Sequence, residues 1–386
     1  MSKYNTLFGQ MLSLIPRSEF QKSVNRLKTE RHARGFSSWN HFTALLFGQL
    51  GGQNSLRSIE SGLAVKEKSL YHLGVASTKR STLSYANQHR NSDLFRDMFF
   101  LMVEKCRHLM PGHRMKFKNP LYSIDSTTIS LCLSVFDWAK SRKKKAAVKL
   151  HVKHNHNGYL PSFVTITNGK VHDQTAARGF EFSAGDVVVF DRGYCDFKWL
   201  KSLDNQQVFF VTRQRANADY CVVERKDVSD LKNISSDQII KIRGPRTRKD
   251  YPGMLRRIRS IDPKTGKAIV ILTNNFKWSA STISKIYKDR WQIELFFKFI
   301  KGNLKIKSFL GTSENAVCSQ LWVALTAYLI LWYMKMKSAC KWSMTIMRSI
   351  LPANLFERVS LWDWLGNKNT SQLAIKATSQ LGFDFG

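Results

Sequence analysis

Acidic residues are scarce in this chain of 386: 28 Asp and Glu face 61 Lys and Arg, a formal net charge of +33. That imbalance argues against an enzyme of neutral metabolites and fits a polyphosphate backbone as partner. Zinc spacing is missing too. The six cysteines (Cys106, Cys132, Cys195, Cys221, Cys318 and Cys340) form no C-x2-C pair, so reduced cytosolic thiols are expected and a zinc site is not. The longest apolar run, Leu321 to Met334, covers 14 residues, which predicts a buried core helix instead of a membrane span. Met1 to Phe20 lacks the basic-then-apolar pattern of a secretory signal. No polybasic tail or amphipathic anchor concentrates the charge, so a membrane-surface role is disfavoured. Internal repeats, low-complexity stretches and a Gly-rich phosphate loop are absent, and with them the signs of a nucleotide-driven motor.

What is present suffices for a large core: 43% of the residues are hydrophobic, and the length suggests two or three domains. One segment carries concentrated chemistry, Tyr287-Lys288-Asp289-Arg290-Trp291-Gln292-Ile293-Glu294 through Lys298 and Lys301. On a continuous helix advancing about 100° per residue, Tyr287, Arg290, Glu294 and Lys301 fall at roughly 0°, −60°, −20° and −40°. A phenol, a guanidinium, a carboxylate and an ammonium would then share one stripe. The plain alternative is an i,i+4 surface pair of Arg290 and Glu294, contributing about 0.2–0.5 kcal/mol.

Two further acidic segments lie upstream. Leu121 to Ile129 is a β-prone run with Asp125 in its middle, and Asp186 to Phe190 reads as a buried strand delivering Asp191 where Gly193 permits a turn. An isolated strand-end Asp is usually a cap or turn residue. Three carboxylates in this order suit phosphodiester chemistry, because hard divalent ions take oxygen ligands and need no His/Cys cage.

The spacing Y-x2-R-x3-E-x6-K, followed by Lys305, resembles the signature of the bacterial insertion-sequence transposases called the insertion-sequence-four family. The Asp125 segment and the D-x-G-Y pattern Asp191-Arg192-Gly193-Tyr194 resemble its first and second catalytic segments. The resemblance implies a cut-and-paste DNA transposase with an Asp-Asp-Glu site of Asp125, Asp191 and Glu294. It also implies two Mg²⁺ ions per site, for which Mn²⁺ would substitute, Asp125 bridging both while Asp191 and Glu294 hold one each. Tyr287, Arg290 and Lys301 would grip a phosphate, with Lys298 and Lys305 beside them, and a DNA hairpin would be an intermediate. Trp278 would stack on a displaced base or simply pack. Its partners would be double-stranded DNA, as terminal inverted repeats and as target, and a second copy of the chain. The expected location is the bacterial cytoplasm, at the nucleoid. A nuclease that cuts without joining, or a silent DNA-binding regulator, are the alternatives.

The fold class implied is a mixed α+β, α/β chain. A ribonuclease-H-like catalytic core (116–205 and 279–345) would carry a β-rich insertion (206–278). An all-helical N-terminal DNA-binding domain (1–115) would precede it and a helical tail (346–386) follow. Within the first domain, Phe20, Val24 and Leu27 space one helix, and Ser37 or Ser38 can cap another carrying Trp39, Phe42, Leu45, Leu46 and Leu50. Ser55 to Leu63 reads as a short helix. Ser81 can cap a helix bearing Thr82, Tyr85, Gln88, His89 and Arg90, either a helix-turn-helix-like reader or a solvated face. Asn157-Gly158 signals a hairpin between strands at 146–155 and 159–167. Strands are also expected at 207–213, 220–225, 239–243, 255–261 and 268–274.

Two basic tracts accompany these strands, Lys140 to Lys170 and Lys241 to Arg259, each a candidate DNA surface. Val171-His172-Asp173 is read as a local turn outside the site. Cys195 lacks a recognisable base partner for nucleophilic work.

Overall fold

A computed structural model describes residues 5–366 except 32, 76, 77, 143, 144, 216, 217, 264 and 339. Lys143, Lys144 and the expected tail beyond 366 lie outside the described residues. The chain divides into a helical unit (up to 109, 131–138 and from 298 onward) and a sheet unit (110–130 and 139–297).

The helical unit begins with α1 (Leu7–Leu12), α2 (Arg17–Leu27), α3 (Ser38–Leu50), α4 (Leu56–Ala64), α5 (Glu67–Leu70), α6 (Arg80–His89) and α7 (Asp93–Arg107). Side-chain oxygens of Thr6, Ser37 and Ser55 cap α1, α3 and α4 by accepting a backbone N–H from the first turn. The expected cap at Ser81 does not occur. Helix α6 starts at Arg80 after Lys79 with no side-chain cap, so Ser81 falls inside the first turn.

In the sheet unit the strands are β1 (Leu121–Leu131), β2 (Lys140–Arg142), β3 (Lys145–Asn155), β4 (Leu160–Asn168), β5 (Val187–Phe190), β6 (Phe209–Arg213), β7 (Tyr220–Lys226), β8 (Ile234–Ile242), β9 (Met254–Ile261) and β10 (Ala268–Thr273). They form one sheet in the order β2-β3-β1-β5-β6-β10-β9-β8-β7, with β4 paired to β3. Helix α8 (Asp173–Ala177) precedes β5, α9 (Phe197–Asn205) joins β5 to β6, and α10 (Pro245–Asp250) joins β8 to β9. Helices α11 (Ala280–Asp289) and α12 (Trp291–Asn303) follow β10, α12 continuing into the helical unit. The β3–β4 hairpin turns where expected, with Gly158 at φ 66° and Tyr159 at φ 53°. The β-rich stretch is continuous with the sheet: β6 runs parallel to β5, and β10 pairs antiparallel with β6.

Strand β5 shows why its run is apolar throughout. Val188 and Phe190 pack with Trp199, Leu200 and Leu203 of α9, whereas Val187 and Val189 pack with Ile283, Ile286 and Tyr287 of α11. Both faces are covered, as is usual for parallel strands. On β1, Ile124 belongs to the first cluster and Leu121 to the second. By strand alternation, residues 121, 123 and 125 of β1 and 187, 189 and 191 beyond β5 project toward the α11 face.

The helical unit closes with α13 (Glu314–Lys337), α14 (Met344–Asn354) and α15 (Leu361–Gly366). Helix α13 is long and apolar enough to cross a membrane by length and composition, yet 94% of its most apolar window is buried inside the protein. It packs on α3, α6, α7 and α14. The helix outruns the 14-residue apolar run, and several of its polar side chains are bonded. Asn315 donates to the carbonyls of Asn87 and Arg90 at 2.8 Å, and Thr326 donates to Trp322 O at 2.9 Å.

Three buried imidazoles set a pH dependence. Burial first of all lowers His41 and His154 to about 3 and His151 to about 4. Between those values and the unfolded value near 6.5, the unfolded chain binds more protons, so stability falls as pH falls. Each should cost about 2 kcal/mol at pH 5 relative to pH 7.5. Urea unfolding at the two pH values measures this, and an unchanged midpoint would contradict it.

Candidate active site

Pairing in register places the first two carboxylates side by side. Strands β1 and β5 pair in parallel from Leu121↔Val187 to Ile124↔Phe190, so Asp125 and Asp191 are the next residue on each. Both project toward α11. Asp191 leaves the strand in extended backbone and opens the 3-10 turn Arg192–Tyr194. Its Oδ1 accepts from the Tyr287 hydroxyl at 3.3 Å.

Arg290 joins the other two carboxylates. Its guanidinium donates to Asp125 Oδ2 at 3.2 Å and to Glu294 Oε1 at 2.7 Å. The stripe expected on one continuous helix is built differently, since the helix breaks at Arg290, with Tyr287 in the last turn of α11 and Glu294 in the first turn of α12. Arg290 itself keeps helical torsions (φ −51°, ψ −28°), which preserves the neighbourhood of all three side chains. Lys298, Lys301 and Lys305 belong to the helical unit. Burial lowers Lys301, and Lys305 is held through its backbone, its N–H donating to Gln49 Oε1 at 2.9 Å.

Burial raises Asp125 to about 6, Arg290 and the Ser126 N–H oppose that, and Glu294 and Asp191 add to it. Among the described residues, no group of three or more His, Cys, Asp or Glu side chains stands ready to enclose a metal ion. A guanidinium bridges Asp125 and Glu294 instead. The donor set still fits a hard divalent cation: three carboxylates, one with a raised pKa to which like charge contributes.

Asp173, read from the sequence as part of a local turn, bonds to the strand that carries Asp125. Ser126 donates to Asp173 Oδ1 at 2.8 Å, Lys149 reaches the same oxygen at 3.2 Å, and His151 lies 3.7 Å from it. The His172-Asp173 pair was the only signal. Lys149 and Lys153 therefore face inward from the first basic tract, Lys153 donating to Glu181 O at 2.7 Å and lying over Tyr122 and Phe182. In the second tract Arg256 is buried against Asp237 at 2.6 Å, and Arg257 bonds Gln214 and Gln238. Lys241, Arg243, Arg246, Arg248, Lys249 and Arg259 remain exposed. Trp278 stacks on Phe117 with centroids 4.2 Å apart and planes 13° apart, which is packing.

A cleft of about 850 Å³ borders the site, its lining including Arg114, Lys232, Lys285, Lys288, Tyr287 and Arg290. In the helical unit, a separate cleft of about 410 Å³ is lined by Lys28, Arg31, Arg34, Thr82, Tyr85 and His89 among others.

Comparison with known proteins gives a consistent result. Residues 116–330 match the family model described as "Transposase DDE domain", and residues 3–76 match one described as a domain of unknown function (DUF4372). A protein of Sinorhizobium fredii named as transposase y4zB is 34% identical over 64% of this chain and 69% of its own. The "Probable transposase for insertion sequence element IS5377" of Geobacillus stearothermophilus is 29% identical over 86% of this chain and 85% of its own.

Proposed function

Because the chain belongs to the transposase DDE-domain family and is a DNA-acting, strand-cleaving enzyme, we propose that it moves an insertion sequence by cut-and-paste. The observation that carries the site assignment is the register. It supports a site with Asp125, in the middle of β1, beside Asp191, just past the end of β5, facing the helix junction that holds Arg290 and Glu294.

DDE transposase domains use divalent metal ions. Here Asp125, Asp191 and Glu294 would hold two Mg²⁺, with Mn²⁺ as substitute. The ions supply activation of a water or 3′-hydroxyl and stabilisation of the leaving oxygen. The chain's own groups do the rest. Arg290, with its planar fork, and the Tyr287 hydroxyl hold the phosphate beside the carboxylates. Holding a cut end this way presents its 3′-hydroxyl as a nucleophile, through a hairpin intermediate as in the insertion-sequence-four family.

Parallel β1, β5 and β6 with helices on both faces support a ribonuclease-H-like core over 116–205 and 279–345, carrying the β-rich 206–278 segment. DNA is the partner, as inverted repeats and target, bound by two protomers about a twofold axis in the nucleoid. The cationic cleft with its exposed Tyr85 supports DNA binding by the helical N-terminal domain.

The competing reading is a nuclease. Purified protein, Mg²⁺, end-sequence DNA and a plasmid target should yield joined products containing both DNAs. Shortened or randomly nicked DNA alone would favour the nuclease.

A further inference from the structure

Beside the carboxylates lies a hydrogen-bonded chain that the chemistry above does not use. His156, in the β3–β4 turn, is 1% exposed. Its Nδ1 is 2.6 Å from Asp289 Oδ2, its Nε2 is 2.7 Å from Ser123 Oγ, and the Tyr159 hydroxyl donates to the same carboxylate at 3.2 Å. Ser, His and Asp so linked form the nucleophile, base and orienting group of acyl transfer. That role is closed to them, because Ser123 is 0% exposed and no substrate reaches its hydroxyl. The chain of bonds acts as a tie.

Its anchor points decide what it ties. Ser123 precedes Asp125 by two residues and shares its face of β1, and the His156 N–H donates to Leu121 O at 2.9 Å on the same strand. Asp289 ends α11 and directly precedes Arg290. A carboxylate at a helix C-terminus is opposed by the helix dipole, by about 0.3–1 kcal/mol, so the helix itself gains nothing from Asp289. Its partners lie on β1 and the hairpin. The Ser123 hydroxyl can donate or accept, so the tie holds with His156 neutral or charged.

Resting on the assignment of Asp125, Asp191 and Glu294 as the reacting centre, we propose that His156 and Asp289 are a positioning pair. They fix the α11–α12 junction against β1 and so set Arg290 and Glu294 opposite Asp125.

The test uses the full chain with His156→Ala, Asp289→Ala, the double Ala variant, His156→Gln and Asp289→Asn. Three readouts are taken: binding of end-sequence duplex, single-turnover cleavage at saturating DNA with Mg²⁺, and hydrogen exchange of amides 287–294. Each Ala variant should cleave about ten- to a hundredfold more slowly, the scale of a small misplacement at a reacting centre. Its DNA Kd should stay within about twofold, since the phosphate contacts are elsewhere. The double variant should be no slower than the slower single, because the pair acts as one unit. Gln and Asn, each keeping a hydrogen bond, should recover most of the rate. Amides 287–294 should exchange faster in the Ala variants while β5 does not change. Wild-type cleavage in both Ala variants, or losses that multiply in the double, overturns the proposal. If the wild type does not cleave, the transposase reading fails by itself, and unchanged exchange at 287–294 overturns the tie separately. Should an Ala variant fail to fold, Ser123→Ala decides, because it cuts the Ser123–His156 bond with a smaller change of side chain: slower cleavage and faster exchange at 287–294 with intact DNA binding support the tie, and wild-type rate and exchange overturn it.

Discussion

Glu294→Gln is expected to lower single-turnover DNA cleavage by about 10³-fold or more, the scale of losing a central catalytic group. Binding of end-sequence DNA should stay within about twofold. Gln matches the shape of Glu and keeps an acceptor for the Arg290 guanidinium, now 2.7 Å from Oε1. It lacks the charge a divalent cation requires. Affinity rests on the large Lys and Arg excess and its phosphate contacts, which the substitution leaves untouched. Mg²⁺-dependent cleavage at the wild-type rate would remove Glu294 from the site.

Arg290→Ala should be the next largest, with cleavage down by about 10²-fold or more, as when one preorganised donor to a developing charge is lost. Arg290→Lys should recover part of this, restoring the charge without the fork. The substitution also acts on Asp125. Arg290 is the foremost influence holding that carboxyl down, so in Arg290→Ala it should titrate above its present value of about 6. The linkage runs opposite to that of the histidines. A folded carboxyl that titrates above its unfolded value near 3.9 stabilises the protein below that value, and the contribution is lost as pH rises through about 6. Removing Arg290 extends that loss to higher pH. Carboxyl ¹³C titration of both proteins tests this, and an unmoved Asp125 would show that Arg290 does not govern it.

Local patterns carried much of this architecture. The run Val187-Val188-Val189-Phe190 is apolar because both faces are covered, and that announces a parallel strand with Asp191 at its end. Strands at 220, 255 and 268 begin within a residue of expectation, since alternation and turn residues act over short range. Pairing across distance was illegible. Nothing local says that β6 adds to β5, that Asp173 returns to Ser126, or that His156 meets Asp289 across 133 positions. Lys and Arg counts also misled where Arg256 is spent on Asp237 and Lys153 lies over two aromatic rings. The helix break at Arg290 escaped for another reason. The torsions stay helical there, and neither Gly nor Pro marks it.

Helix α13, central to the helical unit, also orders events during synthesis. Helices α3, α6 and α7 bury their apolar faces on a partner encoded roughly two hundred residues after α7 ends. At about 5–20 residues per second, a ribosome needs roughly 10–40 s to cover that distance. Through that interval the nascent N-terminal helices wait without α13, while the whole sheet from β1 to β10 emerges and can pair. Translation thus completes the sheet before the unit whose sequence was begun first, and a message broken ahead of residue 314 leaves the N-terminal helices with only their contacts to one another, without α13.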